Sequence, residues 1–189
     1  MGREFELKFK AVPEKLAVIR ALWQDWEEIS METTYFDTLD GQLSGEKCTL
    51  RSRMENGISV CTMKTPAKNL GRGEWDIHAP WCEATVMKLF ADAGKEVIPF
   101  SQLVPVCGAR FTRLAKMVEL PGCTVEIALD SGVLIGGGRE IPLCEVEVEY
   151  KSGSEAAVVA WARHLAERFD LQEESQSKFR RASLLAKGE

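Results

Sequence analysis

The chain has 189 residues, a length that predicts one domain with a substantial core. Hydrophobic residues make up 45% and charged residues 28%, which excludes a disordered or collagen-like chain. The formal net charge of −5 argues against nucleic acid as a partner. No apolar run is long enough to span a membrane and the N-terminus lacks an apolar signal segment, so we expect a cytoplasmic protein with no membrane partner. Six scattered cysteines without a C-x-x-C pair predict reduced thiols.

Periodicity divides the first half of the chain into strands and one helix. Residues 4–10 (E-F-E-L-K-F-K) alternate charged and apolar side chains, which is typical of a strand. Pro13 then suits the start of a helix, and the apolar face of that helix would extend to Trp26. Further strands are expected at 33–38, 49–55 and 58–65.

The second half of the chain also combines predicted strands with predicted helices, so the whole chain is expected to form one α+β domain. Residues 65–73 are a loop by composition, and the basic residues Lys68 and Arg72 leave open that this loop closes over a ligand. The glycine run at 136–138 predicts a bend. Strands are expected at 72–78, 109–118, 123–130 and 144–150, and helices at 82–94, 158–169 and 178–187.

The charged residues are sorted by strand, which is unusual for a sheet with one face in water. The strand at 144–150 carries Glu145, Glu147 and Glu149 on one face, about 7 Å apart in succession. Such a row is repulsive unless cations lie between the carboxylates or water screens them. Because the opposite strand faces are apolar, we expect helices to cover them and the charged faces to meet across a polar barrel interior. An open, solvated sheet is the alternative.

The residue types on these faces suit a metal ion and a phosphate chain. Clustered carboxylates without His or Cys favour hard cations such as Mg²⁺ or Mn²⁺. Arginines at i and i+2, such as Arg51 and Arg53, can hold phosphate oxygens bidentately. The chain has no G-x-x-x-x-G-K-[ST] motif, so a P-loop is excluded.

A series of short motifs resembles the CYTH superfamily, the triphosphate tunnel metalloenzymes, over nearly the whole chain. In order they are E-F-E-L-K, T-T-Y-F-D-T, L-R-S-R, T-M-K, R-G-E, F-T-R, E-I-A-L-D, C-E-V-E-V-E and S-K-F-R-R. The resemblance implies a single CYTH-like domain over 1–189. Its fold would be an α+β fold with an eight-stranded antiparallel closed β-barrel, the triphosphate tunnel, and helices packed on the outside.

The same resemblance implies the site residues. The implied metal ligands are Glu4, Glu6, Glu74, Asp130, Glu145, Glu147 and Glu149, of which Glu4, Glu6, Glu145 and Glu147 would be catalytic. The implied contacts to the triphosphate are Lys8, Arg51, Arg53, Lys64, Arg72, Arg113, Lys178 and Arg181. The sequence departs from the family pattern at Ala115, where a second cation is expected, and Arg110 has the wrong strand parity to replace it.

The resemblance implies hydrolysis of a linear triphosphate that depends on Mg²⁺ or Mn²⁺. Inorganic triphosphate is favoured because the C-terminal half looks most like bacterial inorganic triphosphatases of this superfamily. The alternatives are a class IV adenylate cyclase acting on ATP, a thiamine triphosphatase, and a non-catalytic polyphosphate-binding module. The expected partner is therefore a small-molecule triphosphate or nucleoside triphosphate, and a homodimer is left open. If the carboxylate row is repulsive, Glu147→Gln should keep or raise stability without metal.

Overall fold

The structure, a computed structural model, describes residues 2–66 and 72–189; for residues 2–4 and 72 only the backbone is described. The strands are Gly2–Glu4 (β1), Glu6–Lys10 (β2), Glu27–Asp37 (β3), Thr49–Glu55 (β4), Ile58–Pro66 (β5), Arg72–Ile77 (β6), Val104–Leu120 (β7), Cys123–Gly136 (β8), Arg139–Gly153 (β9) and Gln172–Glu173 (β10). The α-helices are Pro13–Arg20 (α1), Gln42–Gly45 (α2), Glu83–Asp92 (α3), Glu155–Arg168 (α4) and Lys178–Lys187 (α5). A 3-10 helix covers Phe100–Gln102.

The strands form one antiparallel sheet, which confirms the predicted α+β class. Over the described ranges its order is β1-β6-β5-β4-β3-β7-β8-β9-β2-β10. In the described ranges ten strands replace the expected eight, because Phe5 interrupts the first strand and the two-residue β10 is added at the other edge. This hydrogen-bonded series has two ends, so the closed barrel stays a prediction.

Several element boundaries differ from the predicted ones. The three strands β7, β8 and β9 have 17, 14 and 15 residues, longer than the alternating pattern indicated. The glycine run turns the chain between β8 and β9, with φ angles of 58° at Gly137 and 73° at Gly138. The first helix ends at Arg20 rather than near Trp26, because the Trp26 indole N–H donates to the Arg20 carbonyl at 2.9 Å and folds the chain back.

Helices cover the apolar faces of the sheet, as the sorted pattern predicted. The helices α1 and α4 pack on a cluster that includes Phe9, Ile127 and Val148, all nearly fully buried. The helix α3 covers a second cluster around Leu50 and Met63. Burying these faces supplies most of the apolar contribution to stability, since each fully buried aliphatic side chain contributes about 1.5–3 kcal/mol. Among the described helices, none is long and apolar enough to cross a membrane.

The last helix departs from the prediction that the helices pack on the outside. The helix α5 lies on the charged face of the sheet, where Ala182 packs with Phe111 and Leu134 in a third buried cluster. Its close approach needs a glycine on β8, since a Cβ at Gly136 would meet the Ala182 carbonyl oxygen. The predicted position on the apolar outer face was wrong for α5, because its buried apolar and charged side chains share one helix face and meet both apolar and carboxylate partners on the charged face of the sheet.

Gly136→Ala is therefore expected to push α5 away from the sheet. The added Cβ would lie 2.7 Å from the Ala186 nitrogen, a contact with backbone that cannot rotate away. Overpacking of this kind costs about 1–3 kcal/mol, so the melting temperature should fall. Gly45→Ala is the matched control, because no atom lies within 4 Å of its Cβ position. Equal melting temperatures for the two variants would contradict this packing.

Candidate active site

A cavity of about 750 Å³ lies between the charged face of the sheet and the start of α5. Within the described part of the chain, the cations that line it are Lys8, Arg51, Arg53, Lys64, Arg113, Lys178 and Arg180. The lining carboxylates are Glu6, Glu55, Glu74, Asp76, Glu147 and Glu149. Most residues that the sequence predicted for the site thus meet in one place.

The pairing of β2 with β9 assembles one wall of this cavity. Glu6 lies opposite Glu149 and Lys8 lies opposite Glu147. Directly opposite residues of an antiparallel pair point to the same side, so alternate positions along both strands face the cavity. The Lys8 Nζ is 3.3 Å from a Glu6 carboxylate oxygen. Lys8 therefore lies beside carboxylates of both strands, Glu6 on β2 and Glu147 on β9, whereas Glu6 and Glu149 bring two carboxylates together.

The opposite wall is more basic. The Lys64 Nζ and the Arg51 Nη2 approach the same oxygen of Glu74, at 3.2 Å and 3.5 Å. The Nε of Arg51 is buried and finds no hydrogen-bond partner among the described atoms. A buried donor without an acceptor is costly, so an anion that supplied one would be favoured here.

Arg53 is the most deeply buried arginine of this wall. It is 8% exposed, its Nε donates to the Thr33 hydroxyl at 3.2 Å, and its Nη1 is 3.2 Å from a Glu55 oxygen. Burial and the neighbouring Arg51 lower the pKa of Arg53 to about 10. The guanidinium remains charged at neutral pH, but its positive charge is incompletely compensated, which again favours an incoming anion.

Asp130 and Glu145 lie beneath the cavity and do not line it. Both are 0% exposed, and each is neutralised by cations. Arg113 donates two hydrogen bonds to Asp130, from Nε at 2.8 Å and from Nη2 at 2.7 Å. Arg181 contacts Glu145 with its Nη2. These two carboxylates are thus held in an ionic cluster that joins β7, β8, β9 and α5.

Lys178 lies at the centre of this cluster. Its Nζ is 2.7 Å from Asp130 and 2.7 Å from Glu147, and it also contacts Glu145. An ammonium has three N–H donors, so all of them have a carboxylate neighbour. Lys178 borders the cavity, but its position in the cluster makes it a counter-ion for the carboxylates first.

The cluster separates the pKa values of two neighbouring carboxyl groups. Burial opposes the ionisation of Glu147, but Lys178 and Arg113 outweigh it and hold the pKa of Glu147 well below its usual range. Burial dominates at Glu145, where the nearby Glu147 charge adds to it, and together they raise the pKa of Glu145. Burial alone would lower the pKa of Lys178, whereas Asp130 and the two glutamates raise it well above its usual value.

Two predicted site residues cannot be placed by their side chains. The backbones of Glu4 and Arg72 lie opposite one another in the β1–β6 ladder, but their side chains fall outside the described residues. The predicted lid at 65–73 also lies largely outside them, because residues 67–71 are not described. The roles of these residues stay predictions.

The basic strand β7 carries one cation into the site, as its sequence indicated. Ala115 is buried opposite Ala128. Arg110 points to the other side of the sheet and pairs with exposed Glu140 at 3.1 Å. The strand therefore contributes only Arg113 among its described residues to the cavity.

Sequence reasoning missed Arg180. It named Arg181 as the arginine of the last helix that would contact a triphosphate, but the described lining of the cavity includes Arg180 and does not include Arg181. The adjacent arginines are equivalent in a motif, and only the direction in which α5 enters the site distinguishes them. Glu55 was also missed, although its strand parity matched that of Arg53.

The carboxylates offer oxygen ligands suited to a hard divalent cation. One oxygen each from Asp130, Glu145 and Glu147 lies within 4.8 Å of the others. A metal ion among these three would compete with Lys178, which already contacts them all. The lining residues Glu6 and Glu149 face the open cavity and can reach a metal together with a bound anion.

Comparison with known proteins identifies the family. The CYTH domain matches residues 2–183, so the chain belongs to the CYTH domain family. Among curated proteins it is similar to an inorganic triphosphatase of Haemophilus influenzae, with 30% identity over 197 residues and 98% of this chain. The alignment takes in 55% of that relative, so the chain spans about half the length of the protein it matches.

Solved structures share the fold. A Bacillus halodurans protein named as a candidate adenylate cyclase has a TM-score of 0.67 at 20% identity, with 96% of this chain and 98% of that chain covered. A Hippeastrum protein named as a candidate adenylyl cyclase, with a dominant triphosphatase activity, has a TM-score of 0.69 at 15% identity over 98% and 96% of the two chains. The PH1819 protein of Pyrococcus horikoshii gives 0.67 at 22% identity over 98% and 99%. At these identities the likeness concerns the fold alone.

The contacts of Glu147 reverse the expectation, drawn from the repulsive carboxylate row, that Glu147→Gln keeps or raises stability without metal. Glu147 is 7% exposed and contacts both Lys178 and Arg113, so Glu147→Gln leaves two buried cations short of negative charge. We expect a loss of about 3–5 kcal/mol in the free energy of unfolding at pH 7. Because the pKa of Glu147 is lowered on folding, its contribution is present above the usual carboxyl pKa and is lost as the pH falls through the lowered value.

Urea unfolding of the wild type and Glu147→Gln from pH 7 down to pH 3 measures this contribution. The difference in the free energy of unfolding between the wild type and Glu147→Gln should decrease as the pH falls. Glu140→Gln, which removes an exposed carboxylate, is the control and should change stability little. A Glu147→Gln variant as stable as the wild type at pH 7 would show that the row is repulsive after all.

Proposed function

We propose that this chain hydrolyses a linear triphosphate in the cavity, with Mg²⁺ or Mn²⁺, and that inorganic triphosphate is its substrate. The single observation that carries the proposal is the under-satisfied basic wall. The buried Arg51 Nε, which has no partner among the described atoms, and the buried, partly compensated Arg53 both favour an anion with several oxygens. The inorganic triphosphatase relative supports the choice of substrate.

The charge of the cavity is the argument for a metal. Seven cations and six carboxylates line its described part, so it is close to neutral before a substrate enters. A triphosphate brings several negative charges next to Glu6, Glu74 and Glu149, which would repel it. Divalent cations carried by these carboxylates would remove the repulsion. A pure anion-binding module would gain nothing from so many acidic groups.

The cations and the carboxylates of the cavity then have different tasks. The arginines Arg51 and Arg53, with Lys64 and Lys8, would bind phosphate oxygens and stabilise the charge that develops on them during in-line attack. The carboxylates of Glu6, Glu147 and Glu149, together with Glu4, would hold the metal. When bound, the metal would neutralise phosphate oxygens and supply an activated water.

The buried cluster would act by positioning. Asp130 and Glu145 hold Arg113 and Lys178 in place without lining the cavity themselves. Their proposed role as direct metal ligands is therefore weaker than that of the lining carboxylates. Fixing these side chains before the substrate arrives lowers the reorganisation needed in the transition state.

The closed tunnel belongs to the same proposal. The backbone of Gly2–Glu4 pairs with β6, and that of Glu6–Lys10 pairs with β9, with only Phe5 between the two segments. One continuous segment thus touches strands from both ends of the sheet order, which supports a barrel closed by the N-terminal strand. Closure would exclude bulk water from the cavity and strengthen its ionic interactions.

The proposal is tested by separating the products. We expect phosphate and pyrophosphate from inorganic triphosphate in the presence of Mg²⁺ or Mn²⁺, and no release after chelation, because the near-neutral cavity needs the metal charge. ATP is assayed in parallel for phosphate, pyrophosphate and cyclic AMP. Cyclic AMP as the main product would favour the cyclase alternative. Binding of triphosphate without turnover would favour a binding module, and full turnover with chelator would remove the metal from the mechanism.

Arg53→Ala should lower kcat/KM for triphosphate about 10- to 100-fold, the loss of one or two charge-assisted hydrogen bonds. Arg53→Lys should recover only part of it, because an ammonium lacks the planar fork. Titration of triphosphate with Mg²⁺, followed by thermal unfolding, separates binding from folding: the ligand-induced rise in melting temperature should shrink in Arg53→Ala. An equal ligand-induced rise in melting temperature in the wild type and Arg53→Ala would place Arg53 outside the site.

A further inference from the structure

The last helix brings three cations to the site within four residues, and they have different surroundings. Lys178 has a carboxylate neighbour for each of its three donors. Arg181 is directed inward, where it contacts Glu145 and lies 3.8 Å from Glu174. Arg180 borders the cavity and is exposed. Two of the three cations are thus neutralised beneath the cavity, and the third is at its rim.

No carboxylate in the described part of the chain forms an ion pair with Arg180. The other arginines that line the cavity each have one: Glu74 for Arg51, Glu55 for Arg53 and Asp130 for Arg113. The Arg180 contact in the structure is made by its backbone N–H, which donates to the Ser177 hydroxyl that caps the helix. The guanidinium can therefore bind an anion without first breaking an internal ion pair.

The surroundings of Arg180 are polar. Ser175 and Gln176 are exposed residues of the same rim and carry hydrogen-bonding groups suited to phosphate or water. Arg180 is exposed, whereas the side chains of Arg53 and Arg113 are only 9% and 13% exposed. A group of the substrate that reaches Arg180 therefore lies at the solvent side of the cavity, whereas the largely buried cations face its inner part.

We propose that Arg180 is the cation that α5 contributes to the substrate, and that it selects a phosphate at the outer end of the bound chain. The proposal rests on the triphosphatase function proposed above. Inorganic triphosphate has a free terminal phosphate at both ends, whereas the corresponding α-phosphate of ATP is esterified by ribose and has one free oxygen and one negative charge fewer. A guanidinium therefore forms stronger charge-assisted, bidentate bonds with the terminal phosphate of triphosphate than with the esterified α-phosphate of ATP. Arg180 then favours inorganic triphosphate over ATP, and Arg181 positions Lys178 through Glu145.

Steady-state kinetics of Arg180→Ala with both substrates test the proposal. Because the contact is remote from the reacting bond, the KM for triphosphate should rise about 3- to 20-fold while kcat stays within about twofold. The KM for ATP should change much less, so the preference for triphosphate falls. The salt dependence of the triphosphate KM should also decrease, since one exposed charge has been removed. Arg180→Lys should restore the salt dependence and part of the KM.

Two variants separate this role from a structural one. Arg163→Ala removes an exposed arginine of α4, a helix that covers the opposite face of the sheet, and should leave both KM values unchanged. Arg180→Ala should melt at the wild-type temperature, whereas Arg181→Ala should melt lower because it leaves buried Glu145 with one cation fewer.

The outcomes distinguish this proposal from the proposed function. A wild type that neither binds nor hydrolyses triphosphate overturns the triphosphatase function, and the role of Arg180 fails with it. If the wild type is active and Arg180→Ala has the wild-type KM, only the role of Arg180 is overturned. An equal rise in KM for triphosphate and ATP removes the selectivity, and a fall in kcat at constant KM would place Arg180 at the reacting phosphate instead.

Discussion

Three buried carboxylates on adjacent strands require cations from elsewhere in the chain, and this requirement organises the rest of the structure. Asp130, Glu145 and Glu147 come from β8 and β9, and Lys178 contacts all three. Removing one partner of such a buried ionic group is costly, because it leaves an uncompensated charge away from water. The sheet and α5 are therefore held together by charge as well as by the apolar cluster beneath the helix.

The segment before α5 connects this ionic cluster to the N-terminal part of the sheet. The short strand β10 pairs with β2, and the Glu174 backbone N–H donates to the Lys8 carbonyl at 2.7 Å. The buried Glu174 carboxylate lies 3.5 Å from Lys10 and 3.8 Å from Arg181. Glu174 thus links β2 to α5, and both ends of the described chain shape the same cavity.

The site has two layers that differ in how closely their charges are paired, although the buried Nε of Arg181 in the lower layer also finds no hydrogen-bond partner among the described atoms. In the lower layer every carboxylate has a close cation, so it can be rigid before any ligand binds. In the upper layer Arg51 has a buried donor with no acceptor within the described part of the chain, and Arg53 is partly compensated, as its lowered pKa reflects. A rigid base beneath an under-satisfied wall suits a polyanion that arrives with its own counter-ions, because the protein reorganises little when it binds.

The sequence by itself determined the strand faces and the family. The parity of Glu6 and Lys8 against Phe5 and Phe9 follows from the period of a strand, and the series of motifs along the chain by itself resembles the CYTH superfamily. Local periodicity records which side chains share a face, so most of the cavity lining could be predicted. It does not record which face of the sheet a helix will cover.

Only the tertiary structure decided the place of α5, and with it the roles of its cations. Lys178 and Arg181 are three residues apart and share a helix face, but whether that face meets water, phosphate or Glu145 depends on strands more than thirty residues away. The same long-range pairing reversed the expected effect of Glu147, because a row of carboxylates is repulsive alone and stabilising once Lys178 and Arg113 lie beside it. Charge compensation is a property of neighbours in space, which the order of residues does not specify.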